Sequence, residues 1–205
     1  MKLQLALDRL SWDRCFQLIE EVSESIDIIE VGTGVIKEYG MAIVREIHNR
    51  YPNHEILADM KTCDAGKHEA KQAFSAGADI TTVMAFSADL TIKDTLEVAE
   101  ESGGEIMIDL LEVDSRNRME ELSKVGVQLV SLHLGKDRQQ QEGFQTDLFS
   151  LVKGLDLKIA VAGGVNLESL PRIIQEKPDI VIVGSAITGA DNPKEVARQM
   201  KNMIS

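Results

Sequence analysis

Residues 55–66 read Glu55-Ile-Leu-Ala-Asp59-Met-Lys61-Thr-Cys-Asp64-Ala-Gly66, a short apolar run ending in a cation set between two carboxylates. The run up to Ala58 has strand length, and Gly66 opens a helical pattern with Ala70, Ala73 and Phe74 on one face. Asp59 and Lys61 therefore stand at a strand end, on the same side by period-two alternation, with Asp64 beyond them on the loop. Three charges this close are costly in a dry place unless they are balanced by one another, by a metal or by a charged substrate. A solvated loop could carry the same letters, so the flanking chain has to separate the two readings.

Outward from this stretch, a strand-like run followed by a helix-like run recurs about every 25 residues, the spacing of βα units. The expected strands are 3–8, 26–31, 55–58, 80–85, 106–111, 129–133, 158–162 and 180–183, nearly all continuously apolar. Ser11 is placed to cap a first helix with Trp12, Cys15, Phe16, Ile19 and Val22 inward. The second helix carries Val35, Ile36, Val44 and Ile47, and the fourth carries Leu90, Leu96 and Val98. Asp191-Asn-Pro193 starts the last helix, with proline at a first-turn position. The polar stretch from Gly135 to Gly143 reads as a loop, because helical spacing resumes only near Leu148. Eight buried parallel strands alternating with helices favour closure into a (β/α)8 TIM barrel of the α/β class, one domain over residues 1–205. An open doubly wound sheet is the other arrangement, but the first βα turn, Asp8-Arg-Leu-Ser11, has no glycine-rich dinucleotide fingerprint.

Composition narrows the class. With 205 residues, 43% of them hydrophobic, the chain can bury one good core, and a net charge of −12 argues against nucleic acid as a partner. No apolar run approaches the ~20 residues that cross a membrane. Two cysteines without a paired motif, and no export-type leader, point to a reduced cytoplasm.

Chemistry in such a barrel gathers at the C-terminal ends of the strands. There stand Asp8, Glu30, Asp59 with Lys61, Asp109 and His133, and strands seven and eight end in Gly163-Gly164 and Gly184-Ser185. Glycines and helix N-termini at those two places would let backbone N–H groups approach a phosphate. Glu30 and Asp59 supply hard oxygen ligands from neighbouring strands, which suits Mg²⁺ better than Zn²⁺. The carboxylates flanking Lys61 favour its charged form, so it reads as a permanent cation that stabilises an oxyanion rather than as a Schiff-base nucleophile. His133 is the histidine placed to move a proton, since His48, His54 and His68 lie in helix or loop patterns.

In this pattern the chain resembles the orotidine-monophosphate-decarboxylase superfamily, and within it the group of 3-hexulose-6-phosphate synthases and 3-keto-L-gulonate-6-phosphate decarboxylases. The likeness runs through Leu3–Asp8, Asp27–Thr33, Leu57–Gly66, Ala76–Asp79, His133, Val161–Gly164 and Val181–Gly184. It implies a Mg²⁺-dependent enzyme acting on a small sugar phosphate through a 1,2-enediolate, with Glu30 and Asp59 on the metal. It also implies Asp8, Lys61 and Asp64 around the substrate, and a homodimer in which Asp64 reaches in from the second subunit. Decarboxylases of the group usually have Glu late in strand five, Arg three residues after the strand-six His, Thr before Gly-Gly and Arg after the strand-eight Gly. Asp109, Lys136, Ala162 and Ser185 stand there instead, and Asp109 and Ala162 match the synthases. Lys136 keeps the positive charge, so decarboxylation stays open as a side activity or as the alternative function. Gly34 departs from the proline common in synthases. An epimerase-like enzyme and a non-catalytic phosphate-binding barrel are the remaining readings. The retained charges speak against a dead barrel, and the absence of a His pair at the strand ends speaks against metal-dependent epimerisation.

Overall fold

Eight parallel strands pair in sequence order, and β1 closes on β8, in a computed structural model that describes residues 1–140 and 146–205. The strands are β1 Lys2–Leu7, β2 Ile28–Val31, β3 Glu55–Thr62, β4 Ile80–Met84, β5 Glu105–Asp109, β6 Leu129–His133, β7 Lys158–Ala162 and β8 Ile180–Val183. The α-helices among the described residues are α1 Trp12–Val22, α2 Thr33–Tyr39, α3 Met41–Arg50, α4 Gly66–Ser75, α5 Asp89–Ser102, α6 Arg116–Val125, α7 Leu170–Gln175, α8 Ser185–Thr188 and α9 Pro193–Ile204. No helix among these residues is long and apolar enough to cross a membrane.

Alternation along each strand builds two apolar layers. One face packs on the helices: Leu3, Leu5 and Leu7 of β1, Ile29 and Val31 of β2, and Val181 and Val183 of β8 join the inner residues of α1, α3 and α9. The other face fills the barrel with Ile28, Leu57, Ile80, Met107, Leu129, Ala160, Ile180 and Ile182. Truncating one of the fully buried leucines of β1 to alanine is expected to cost about 2–5 kcal/mol. The middle of the interior is therefore a packed plug; ion pairs of Lys2 with Glu55 and of Lys158 with Glu105 stand at the N-terminal strand ends, and the other polar side chains gather at the C-terminal end.

Several expected boundaries move. The second helix is two, α2 and α3, because Gly40 at φ 61°, ψ −160° breaks the turn between them. Strand β3 does not stop at Ala58: it runs on through Asp59 and Lys61 to Thr62, with a register shift against β4 between Ala58 and Thr62. Leu90 of α5 is 69% exposed instead of packing inward, whereas Val98 is buried. After β6 the described chain makes two short 3-10 segments, 138–140 and 146–151, in place of an α-helix, and the expected loop lies partly outside the described residues. Two helix starts carry side-chain caps: Ser11 Oγ accepts from the Arg14 N–H, and Asn192 Oδ1 from the Glu195 N–H, with Pro193 at the first turn of α9.

Candidate active site

Inward positions at the C-terminal strand ends converge on one cavity of about 510 Å³. It is lined by Asp8, Glu30, Asp59, Lys61, Asp109, His133, Lys136, Gly163, Gly164, Gly184 and Ser185, all expected there from sequence. Asp64 is not among them: it is exposed on the loop before α4, where it borders a separate shallow depression with Leu90, Thr91 and Asp94.

Asp109 is the hub. The last residue of β5, it is 2% exposed, and it accepts from Lys61 Nζ at 2.5 Å, from His133 Nδ1 at 3.0 Å and from the Leu111 N–H at 2.9 Å. Burial alone would raise its pKa, but the bonds and charges of His133 and Lys61 overcome that and hold the carboxyl at about 2. Burial acts to lower the pKa of His133, and Asp109 more than offsets it, so the ring's pKa is raised. With an ionised acceptor at Nδ1, that nitrogen carries the proton, and Nε2 is the one free to exchange a proton with a ligand. Lys61 also lies 3.3 Å from Asp59, and its flanking carboxylates outweigh burial and raise its pKa, which keeps it an ammonium.

The register shift in β3 leaves backbone groups without ladder partners, and hydroxyls take them up. Thr81 donates to the Ala58 carbonyl at 3.0 Å, Thr33 Oγ1 lies 2.8 Å from the Asp59 carbonyl, and Ser87 donates to the Thr62 carbonyl at 3.2 Å. Lys61 itself sits at φ 48°, in the left-handed region a lysine seldom adopts, and its N–H donates to Thr82 Oγ1 at 2.9 Å. Thr82 and Thr33 reach the two carboxylate oxygens of Asp59, each at 2.7 Å. Lys61 thus shares a side with Asp59 through a bulge, not through regular pleating.

Glu30 Oε2 accepts from Gln4 Nε2 at 2.6 Å, while Gln4 Oε1 is buried without a partner. Burial first, and then the charge of Asp59, push the Glu30 carboxyl well above the usual carboxylate range. Acidic and basic side chains line the cavity together, Asp8, Glu30, Asp59 and Asp109 against Arg9, Lys61, Lys136 and the His133 ring. Glu30 and Asp59, hard oxygen donors on neighbouring strand ends, with the orphaned Gln4 amide oxygen nearby, are a donor set that fits Mg²⁺, which commonly takes one or two carboxylates plus substrate oxygens. No cluster of three or more His, Cys, Asp or Glu suited to a metal occurs among the described residues.

On the phosphate side, Gly163 and Gly164 have φ of 98° and 71°, and a Cβ on Gly163 would lie 2.1 Å from the Leu134 carbonyl. Close packing against the end of β6 therefore demands glycine at 163 whatever binds there. The expected helix N-terminus behind this pair is absent, since α7 starts only at Leu170, whereas α8 starts directly after Gly184. Asp8 Oδ1 accepts from the Gly34 N–H at 3.3 Å, a bond that proline at this position could not make.

Sequence reasoning missed Gln4, Thr33 and Thr82. Two of them left a signal: Gln4 is the lone polar residue between Leu3 and Leu5, and Thr81-Thr82 interrupts the apolar β4 beside the charged end of β3.

Residues 1–200 match the model of the family described as Orotidine 5'-phosphate decarboxylase / HUMPS family. The chain belongs to this family. Among curated relatives, the 3-hexulose-6-phosphate synthase of Bacillus subtilis (strain 168) is 39% identical over 100% of this chain and 99% of its own length, and that of Staphylococcus haemolyticus is 35% identical with the same coverage. Among solved structures, 3-hexulose-6-phosphate synthase from Salmonella typhimurium superposes with a TM-score of 0.97 at 36% identity, covering 100% of this chain and 98% of that one. The 3-keto-L-gulonate-6-phosphate decarboxylase of Vibrio cholerae is similar at 0.89 and 28%, covering 99% and 96%. The resemblance read from the strand ends is thereby borne out, and this member of the Orotidine 5'-phosphate decarboxylase / HUMPS family is an enzyme of the lyase class.

Proposed function

We propose that the chain catalyses the reversible aldol addition of formaldehyde to D-ribulose 5-phosphate, giving D-arabino-hex-3-ulose 6-phosphate through a 1,2-enediolate. Asp109 carries this reading. A short carboxylate at the end of β5 binds Lys61 and His133 together and leaves the histidine as proton carrier and the lysine as fixed cation. His133 Nε2 takes a proton from C1 of the ketose, and Lys61 holds the negative charge that appears on O2. C1 then adds to the formaldehyde carbon, and the proton on His133 returns to the new alkoxide oxygen. Glu30 and Asp59 would hold Mg²⁺, which supplies Lewis-acid polarisation of substrate oxygens when bound. Asp8 and Asp109 orient hydroxyls, and Gly163, Gly164, Gly184, Ser185 and Lys136 cradle the phosphate.

Formaldehyde is neutral, so this reaction needs no cation for a departing carboxylate, and Ala162 and Ser185 stand where the decarboxylase pattern has Thr and Arg. Relatives and solved structures named 3-hexulose-6-phosphate synthase along the full chain support the same choice. A cytoplasmic homodimer completes the reading. Phe86 is 61% and Leu90 69% exposed, and Leu90 borders one depression with Asp64, a face suited to a second copy that would take Asp64 into its site. The test is a coupled assay with ribulose 5-phosphate, formaldehyde and Mg²⁺, run beside 3-keto-L-gulonate 6-phosphate. Formaldehyde consumption is expected to dominate, and faster release of CO₂ would transfer the assignment to the decarboxylase.

A further inference from the structure

We propose that Thr82 is a positioning residue whose hydroxyl holds Lys61 in its left-handed bulge and thereby sets the ammonium between Asp59 and Asp109. Thr82 is on β4, 4% exposed, and its single hydroxyl works in both directions: Oγ1 accepts from the Lys61 N–H at 2.9 Å and donates to Asp59 Oδ1 at 2.7 Å. Beyond Ala58 the regular pairing of β3 with β4 lapses, and it returns only at Thr62 opposite Val83. In that gap the N–H of Lys61 would be a buried donor without a ladder partner, and the threonine hydroxyl replaces the carbonyl that a regular strand would offer.

A β-branched neighbour suits this task, because its stiff χ1 keeps the hydroxyl pointed where the bulge needs it. A lysine at φ 48° persists only where the surroundings over-determine it. The side chain adds its ion pairs to Asp59 at 3.3 Å and to Asp109 at 2.5 Å, but those contacts tie only the far end of a flexible stem. Thr82 is the contact that fixes the backbone from which the stem departs. Thr33 cannot substitute for it, since its hydroxyl reaches the carbonyl and Oδ2 of Asp59 and not the Lys61 amide.

The proposal rests on the reading of Lys61 as the cation that stabilises the oxyanion, so the experiment separates the two. Wild type, Thr82→Ser, Thr82→Val and Lys61→Met are compared for kcat and KM with ribulose 5-phosphate and formaldehyde, for Tm, and by crystallography. Valine keeps the shape and removes the hydroxyl; Thr82→Ala serves in its place if the valine variant does not fold. The expected result is that kcat of the hydroxyl-free variant falls about tenfold or more with KM changed less than about threefold, the pattern of an interaction lost in the transition state. Serine is expected to restore most of the rate, and Lys61 is expected to leave the left-handed region in the crystal structure of the hydroxyl-free variant. A lower Tm with kcat unchanged would make Thr82 merely structural and overturn the proposal, as would an unmoved Lys61. Full activity in Lys61→Met would instead overturn the reading of the lysine.

Discussion

Asp109→Asn should make the stability of this protein measurably less sensitive to acid. The carboxyl drops from an ordinary 3.8 to about 2 on folding because, against the cost of burial, it gains His133 and Lys61 as partners. A depressed carboxylate stabilises the fold above its unfolded pKa, and that contribution is lost as pH falls through the folded value. At about 1.4 kcal/mol per tenfold in proton affinity, it is worth about 2–3 kcal/mol near neutrality, with about 1 kcal/mol gone by pH 3 and about 2 by pH 2. The group is 2% exposed, so solvent screening does not dilute the figure. Over the same window His133 of the wild type is protonated in the folded and unfolded chain alike, so in the wild type it adds no slope of its own. Reversible urea unfolding of wild type and Asp109→Asn, followed by circular dichroism between pH 5 and pH 2, measures the difference directly. The gap between the two proteins should narrow by about 2 kcal/mol across that range. A gap that stays constant would refute the assignment of Asp109 as the ionised partner of both cations.

The other expectations concern the reaction and the assembly. Lys61→Ala should lower kcat about 10²-fold or more while leaving phosphate affinity nearly intact, and borohydride should trap no adduct at Lys61, because a lysine held charged by Asp59 and Asp109 is a poor nucleophile. Activity should vanish in excess chelator and return with Mg²⁺, and Glu30→Gln or Asp59→Asn should each weaken Mg²⁺ binding by calorimetry; an enzyme fully active in chelator would disprove this. The acid limb of the kcat/KM profile should move to lower pH in Asp109→Asn, since the carboxylate is what raises the pKa of His133, and pH–rate measurements on both proteins check it. Leu90→Glu should yield a monomer in sedimentation with little activity, and mixing Asp64→Ala with Lys61→Ala subunits should recover part of it through hybrid sites.

The barrel itself was legible in one dimension. Parallel strands covered on both faces must be continuously apolar, and a polar residue near the C-terminal end of one has only the mouth to enter, so Asp8, Glu30, Asp59, Asp109 and His133 could be assigned to one rim from their positions alone. Capping follows rules just as local, and Ser11 and Asn192 obeyed them. What the sequence could not determine depends on groups that meet only when the sheet closes. Nothing between residues 55 and 66 says that β3 will bulge, because the hydroxyls that satisfy the bulge come from Thr33 on α2, Thr81 and Thr82 on β4 and Ser87 beyond it. Glu30 looks like any strand-end carboxylate until Gln4 arrives from β1 and Asp59 from β3. Leu90 shows helical spacing but faces outward, since amphipathic periodicity marks which residues are apolar and not which surface will cover them. The residue types at the rim are a property of the chain; the left-handed lysine, the three-way bond at Asp109 and the orphaned amide of Gln4 are properties of closure, which brings strands distant in sequence within hydrogen-bonding range.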